Sequence, residues 1–345
     1  MATIIVADAL RKQVEKTSGG RVTVIYDDGD LPSLMCVIPK FSLDEVGYAS
    51  TDTHPAFIVD GKEKSEILVG QFQASVVNGS AVSLPGRDPH VNVDFDEAVG
   101  YCRAKGAGWH LMTNAEWGAL LLKSKEDGLW PHGNNEYGSA VEDASEEGLE
   151  SYSTGGQTGR VYSGSGPVTW SHDHTPLGIW DLNGNVWEWQ GGMRLSRGEI
   201  QVLPDNDAAA DGADLSAGSA AWQAILEDGS LAAPGTADTL QYRSIDGAIE
   251  VGTTATSNGK TKGGFEGTSE ETGVSIPDRL KVLGLFPDGG SYRGDRLYIN
   301  DGDERLPMRG GYWRDGTGAG LAALRLFHLR FSSTAYIGFR VAYVI

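Results

Sequence analysis

Two aromatic runs in the C-terminal half constrain what this chain can fold into. The first is Asp181-Leu182-Asn183-Gly184-Asn185-Val186-Trp187-Glu188-Trp189, and the second is Arg309-Gly310-Gly311-Tyr312-Trp313, answered near the end by Ile337-Gly338-Phe339-Arg340. Alternation through Val186, Trp187, Glu188 and Trp189 places aromatic rings on one face of a strand, where they pack into a core. Gly310 and Gly311 let a strand bend or let another backbone approach closely. Trp187, Trp189, Trp313 and Phe339 are therefore expected in the core. Arg340 is expected to pair with an acidic residue, with Glu188 the candidate.

The length of 345 residues suits one large domain or two modest ones. Charge narrows the functions. Twenty-eight basic residues stand against 47 acidic ones, a net charge of -19. Such a surface repels nucleic acid and anionic lipid. Two cysteines, Cys36 and Cys102, make neither a disulfide framework nor a CxxC metal site. The opening Met1-Ala2-Thr3-Ile4-Ile5-Val6 lacks the charged start and long apolar run of a secretion signal, so synthesis in a cytoplasm is expected. No stretch is long and apolar enough to predict membrane insertion.

Local patterns divide the chain further. A short helix over Ala7–Lys16, a Gly19-Gly20 break and a strand Val22–Tyr26 form a segment of residues 1–31, too small to hold its own core. It reads as an attachment or oligomerisation piece. Strands are predicted at Leu34–Ile38, His54–Val59 and Glu66–Phe72. Asp94 caps one helix carrying Ala98, Val99 and Cys102. Thr113 and Glu116 form a capping box for another, which carries Trp117, Leu120 and Leu121. Residues 127–178 read as long loops pinned by Trp130, Tyr137, Tyr162 and Trp170. Residues 191–305 read as an insertion with helices near Ala221–Leu226 and Pro277–Val282 and a strand at Glu199–Leu203.

The order of these pieces resembles a known family. Asp96-Glu97-Ala98 through Tyr101-Cys102, His110-Leu111-Met112-Thr113 through Glu116-Trp117, Asn183 to Trp189, and the closing Arg309-Gly310-Gly311 and Gly338-Phe339-Arg340 are similar to the motifs of the formylglycine-generating (sulfatase-modifying factor) family. The resemblance covers about residues 32–345. It implies an α+β, loop-rich, C-type lectin-like fold with a large insertion at about 191–305.

Two branches of that family imply different functions. The oxidase branch binds copper through two cysteines near the C-terminal motif, and residues 300–345 contain none. An iron site of several histidines would have to draw on His172-Asp173-His174. A metal-dependent oxidase, or a degenerate relative, is thus the alternative reading, and no catalysis is expected. The binding branch comprises the variable proteins of diversity-generating retroelements, in which adenine-directed mutagenesis rewrites a C-terminal stretch. Rewritten asparagine codons cannot yield Lys, Glu, Gln, Met or Trp, and none of these, nor Asn, occurs from Arg314 to Arg340. The resemblance implies a variable region at about 309–340. Its ligand-binding positions would be Tyr312, Arg314, Asp315, Arg325, Phe327, His328, Phe331, Ser332, Thr334 and Tyr336, with Leu324, Leu326, Ile337 and Phe339 kept as core. Aromatic, Arg and Ser side chains make a good contact surface.

The expected function is ligand or receptor binding through a hypervariable surface, on a phage receptor-binding or display protein of the virion tail. The partner would be a protein or glycan, for instance on a bacterial surface, and not nucleic acid. Homo-oligomerisation would add avidity. No cofactor is required. Calcium is a candidate ion at Asn183, Asn185 and Glu188, whose hard oxygens suit it and around which some family members bind it. Ser257-Asn258-Gly259-Lys260-Thr261 imitates the end of a phosphate loop but lacks the earlier glycine. No GxSxG elbow occurs.

Overall fold

The capping signals and aromatic alternation set most of the observed architecture. The structure, a computed structural model, describes residues 2–256 and 259–345, and of residues 2–8 only the backbone path. Helix α1 (Ala2–Ser18) leads to strand β1 (Val22–Tyr26). β1 pairs antiparallel with β2 (Pro32–Pro39), which pairs with β3 (Glu66–Gly70). The N-terminal segment thus docks by backbone pairing. Lys105 reinforces it from below: fully buried, it binds Asp27 at 3.2 Å and sits 4.0 Å over the Trp109 ring. β4 (Trp109–Leu111) and the last strand, β11 (Val341–Tyr343), complete a five-stranded sheet of order β1-β2-β3-β11-β4.

Both predicted caps form. Asp94 starts α2 (Phe95–Arg103), with Phe95, Ala98, Val99 and Cys102 buried. Thr113 accepts from the Glu116 amide and Glu116 reaches back to the Thr113 amide, which starts α3 (Asn114–Asp127). α3 ends on Gly128 in the left-handed region, where glycine costs least. Its Trp117 is fully buried and donates to the Leu321 carbonyl at 2.7 Å. A short helix α4 (Asp278–Val282) lies beside α3, inside the predicted Pro277–Val282.

The second sheet carries the C-terminal motifs. It contains β5 (Trp187–Trp189), β6 (Lys260–Gly264), β7 (Arg296–Asn300), β8 (Leu306–Gly310), β9 (Gly320–His328) and β10 (Ile337–Phe339), in the order β6-β7-β9-β8-β5-β10. β5 pairs parallel with β10 and β7 parallel with β9; the other neighbours are antiparallel. Residues 191–305 are therefore not one appendage. They contribute β6 and β7 to this sheet, and seven further strands within them form a separate sheet.

Two local expectations are corrected. The predicted helix near Ala221–Leu226 is a strand, Gln223–Ile225. Trp222 and Ala224 alternate into the core, and the Asp228-Gly229 turn stops the segment before a helical turn can repeat. The predicted strand His54–Val59 begins as a 3-10 turn over Pro55–Phe57. Pro55 fixes the first helical φ, and the His54 ring accepts from the Ala56 amide. Only Ile58–Val59 is extended.

The expected core is found. Trp187, Trp189, Leu324, Leu326 and Ile337 are fully buried, and Phe339 and Trp313 nearly so. Between the sheets lies the expected pair: Arg340 donates to both Glu188 oxygens at 2.9 and 2.7 Å, and neither side chain meets solvent. Arg340 also donates to the carbonyls of Gly70 and Trp180. One guanidinium thus ties β3, the loop before β5, and β5 itself to the end of β10.

Candidate ligand-binding face

β9 presents two different surfaces. Leu324 and Leu326 point into the core, while Arg325 and Phe327 point the other way and are half-buried. A register shift against β8, with Leu306 opposite His328 but Met308 opposite Arg325, leaves an extra residue on β9. Such a bulge re-aims the next side chain. His328 consequently joins Arg325 and Phe327 on the same side, edge-on to Trp189. Tyr298 of β7 stacks edge-on to both Phe327 and Trp187, and the Arg325 guanidinium lies 5.2 Å over Tyr298 and 5.6 Å over Trp187.

Tyr312 and Tyr336 form an adjoining aromatic group. Their ring centroids lie 4.8 Å apart, and both touch the Trp313 ring. Gly310 and Gly311 make the turn into this group. Both have φ near +90°, and a Cβ on Gly311 would stand 2.4 Å from that of Ala319. Asp315 closes the turn, its carboxylate accepting from the Tyr312 amide. Burial raises the Asp315 pKa to about 6, against the opposing pull of Arg325. Burial likewise lowers that of His328 to about 4, helped by Arg325, Lys260 and Arg305.

The ten candidate positions fall into three places. Arg325, Phe327 and His328 share the open side of β9. Tyr312, Asp315 and Tyr336 gather beside them, with Arg314 exposed at the turn. Phe331, Ser332 and Thr334 lie on the connecting loop next to the start of α2, and among the described residues no ring contact joins Phe331 to the other two groups. Phe331 is 73% exposed.

Much of the grip on this segment runs through its main chain. The carbonyls of Trp313, Arg330, Thr334 and Tyr336 accept from the amides of Tyr137, Phe95, Asn92 and Trp187. Arg160 donates to the Ala335 carbonyl. Apart from Asp315 and Arg330, whose guanidinium binds Glu304, Asp96 and the Leu215 carbonyl, the anchors do not depend on which side chain the segment carries.

The candidate calcium ligands are not gathered into a cage. Glu188 is occupied by Arg340 and Gln73. The Asn185 side-chain oxygen accepts from Asn134 and the Val161 amide, and that of Asn183 accepts from Asn135. Gly184 explains this tight knot: its φ is +78°, and a Cβ there would lie 2.1 Å from the Asn134 carbonyl. These oxygens fit a structural role and do not fit a metal. His172-Asp173-His174 also diverges. His172 accepts from the Ile179 amide, Asp173 binds Arg21 and Thr175, and His174 meets the Trp130 carbonyl. Cys36 and Cys102 are buried in β2 and α2, and burial pushes both thiols up, away from the thiolate form that copper needs. Ser257 and Asn258 of the imitation phosphate loop lie outside the described residues; Lys260 and Thr261 belong to β6.

Sequence reasoning missed Tyr298, Lys260, Lys262 and Arg296, which border Arg325 and Phe327. Their alternation in Lys260-Thr261-Lys262 and Arg296-Leu297-Tyr298 was a usable strand signal. It lay inside the region read as an insertion.

A family model, described as the sulfatase-modifying factor enzyme 1-like domain, matches residues 10–199. That span is more than half of the chain, and runs from α1 through β5. The chain belongs to this family. No curated protein matches. Among solved structures, Treponema denticola variable protein 1 is similar at 13% identity, over 94% of this chain and 99% of that one, with a TM-score of 0.36. CarF is similar at 13% identity, over 91% and 99% of the two chains, with a TM-score of 0.37. The Major Tropism Determinant P3c variant is similar at 10% identity, over 90% and 63%, with a TM-score of 0.32. Superpositions this loose carry no argument about function. The family's C-type lectin-like α+β fold is the one expected from the motifs.

Proposed function

We propose that this chain is a non-catalytic binding protein whose β9 face and adjoining turn hold interchangeable side chains toward a protein or glycan ligand. The observation that carries the reading is the main-chain grip on residues 313–336 above fully buried Leu324, Leu326 and Ile337. A site whose side chains can be rewritten must owe its shape to atoms that every residue has. The side chains present, with Tyr, Phe, Arg and His half-exposed, suit contact with a partner. The finer reading is a display or receptor-binding protein of a phage tail, diversified by a retroelement. No calcium or other cofactor enters it.

The test is a library that varies Arg314, Arg325, Phe327, His328, Phe331, Ser332 and Thr334 together, over residue types that an asparagine codon can reach. Most members should stay folded, as judged by protease resistance and cooperative melting. Widespread unfolding would mean that these side chains are structural and would sink the proposal. The phage reading predicts a near-copy of the 3′ coding sequence nearby, mismatched at adenines, beside a reverse transcriptase gene; finding neither would refute it.

A further inference from the structure

The face carries charge opposite to that of the molecule. In a chain of net charge -19, Lys260 and Lys262 of β6 and Arg296 of β7 are exposed on the edge next to Arg325. Several arginines elsewhere are paired: Arg194 and Arg330 share Glu304, and Arg243 meets Glu250 and Glu271. Lys260, Lys262, Arg296 and Arg325 form no ion pair among the described residues. Lys260 stands 5.5 Å over the Phe327 ring. The buried Nε of Arg325 has no hydrogen-bond partner among the described residues. A donor left so is costly and marks a place that an acceptor can fill.

The arrangement is also regular. Lys260 and Lys262 are two residues apart on β6, and Arg296 is opposite Gly264, the next position on that side. Alternate strand positions repeat at about 7 Å. A second extended chain with carboxylates at alternate positions has the same repeat.

Resting on the proposed binding face, we infer that β6, β7 and β9 form a fixed cationic track that selects an extended acidic segment of a partner protein, while the variable side chains choose among such partners. A long polyanion fits less well. Screening at physiological salt reaches only about 8 Å, so a polymer running past the track would meet the acidic remainder of the surface. Phe327, Tyr312 and Tyr336 add apolar contacts for residues that flank the acidic run.

The probe is a capped, labelled octapeptide alternating Glu and Val, measured by fluorescence anisotropy beside its Gln–Val counterpart, a hyaluronate oligosaccharide and oligo-dT. The acidic peptide should bind about tenfold tighter than the neutral one, and less tightly as salt rises. Lys260→Ser/Lys262→Ser, both at exposed positions, should erase that preference without moving the melting temperature. Equal binding of the two peptides, or none, would overturn the inference, as would tighter binding of hyaluronate or oligo-dT. Tyr312→Ser/Tyr336→Ser separates the two claims. If acidic binding depends on the lysines but not the tyrosines, the track stands and the wider face fails. If the tyrosines matter and peptide charge does not, the face stands and the track fails.

Discussion

Removing Arg340 tests the frame on which every functional statement depends. Arg340→Met keeps the bulk of the side chain but deletes four hydrogen bonds: two to Glu188 and one each to the carbonyls of Gly70 and Trp180. Glu188 would remain fully buried with the Gln73 amide as its remaining side-chain donor. Orphaning one member of a buried ion pair costs about 3–5 kcal/mol. Replacing both members with apolar residues removes the stranded charge, so Arg340→Met/Glu188→Met should cost clearly less than Arg340→Met alone. Its residual cost, from the carbonyls of Gly70 and Trp180, is about 2 kcal/mol. Urea unfolding followed by tryptophan fluorescence gives both numbers, with the slope checked for constancy. Hydrogen exchange at Ile337–Phe339 should quicken in the single variant, because the pair anchors the end of β10. A single-variant cost below about 1 kcal/mol would refute the reasoning, and so would a double-variant cost equal to the sum of the two singles.

Two further outcomes follow from the same geometry. The Asp315 carboxyl is raised from 3.8 to about 6, chiefly by burial. A raised folded-state pKa means that the associated stability is present below about pH 4 and is lost as pH climbs through 6. Asp315→Asn should therefore melt at the same temperature as the parent at pH 4 and higher at pH 8; a variant less stable at pH 8 would show that the Tyr312 amide contact outweighs desolvation. Trp187→Leu empties part of a fully buried site and should cost about 3 kcal/mol. Tyr312, Phe327 and Tyr336 are half-buried and in ring contact, so Tyr312→Ala/Phe327→Ala/Tyr336→Ala should lower the melting temperature measurably rather than leave it unchanged. If that triple variant melts as the parent does, the ring contacts contribute nothing to the fold.

What could be read from the sequence was whatever chemistry is local. The Asp94 and Thr113 caps, the alternation around Trp187 and the Gly310-Gly311 turn are each specified by residues a few positions apart, and each is found. The Arg340–Glu188 pair spans 152 positions and was still legible, because a lone arginine in an apolar closing strand has to find a carboxylate. Non-local pairing was not legible. Nothing in Lys260–Gly264 announces that it lies against Arg296–Asn300, because strand partners are chosen by the whole core and not by the strand. The same limit misread Asn183 and Asn185. Hard oxygens beside a glycine look alike whether they face an ion or backbone amides, and only the neighbours at 134, 135 and 161 decide.

The division has a consequence for the binding face. Its floor, Trp187, Tyr298, Leu324 and Leu326, is core, and such positions tolerate little change. Its rim is held largely by carbonyls and, on the proposed reading, should tolerate far more. A surface built this way separates the two demands on a diversified binder, since substitutions at Arg314, Phe331 or Ser332 reach a partner without disturbing any buried contact described here. Arg325 is the exception that exposes the cost of the design. Its guanidinium lies over Trp187, Tyr298 and Phe327, and its charge opposes the burial penalty on Asp315. A change at Arg325 alone should therefore be felt at Asp315. Among the positions proposed to vary, Arg325 and Asp315, like Tyr312 and Tyr336 in their ring contact, are then pairs whose residues cannot be chosen independently.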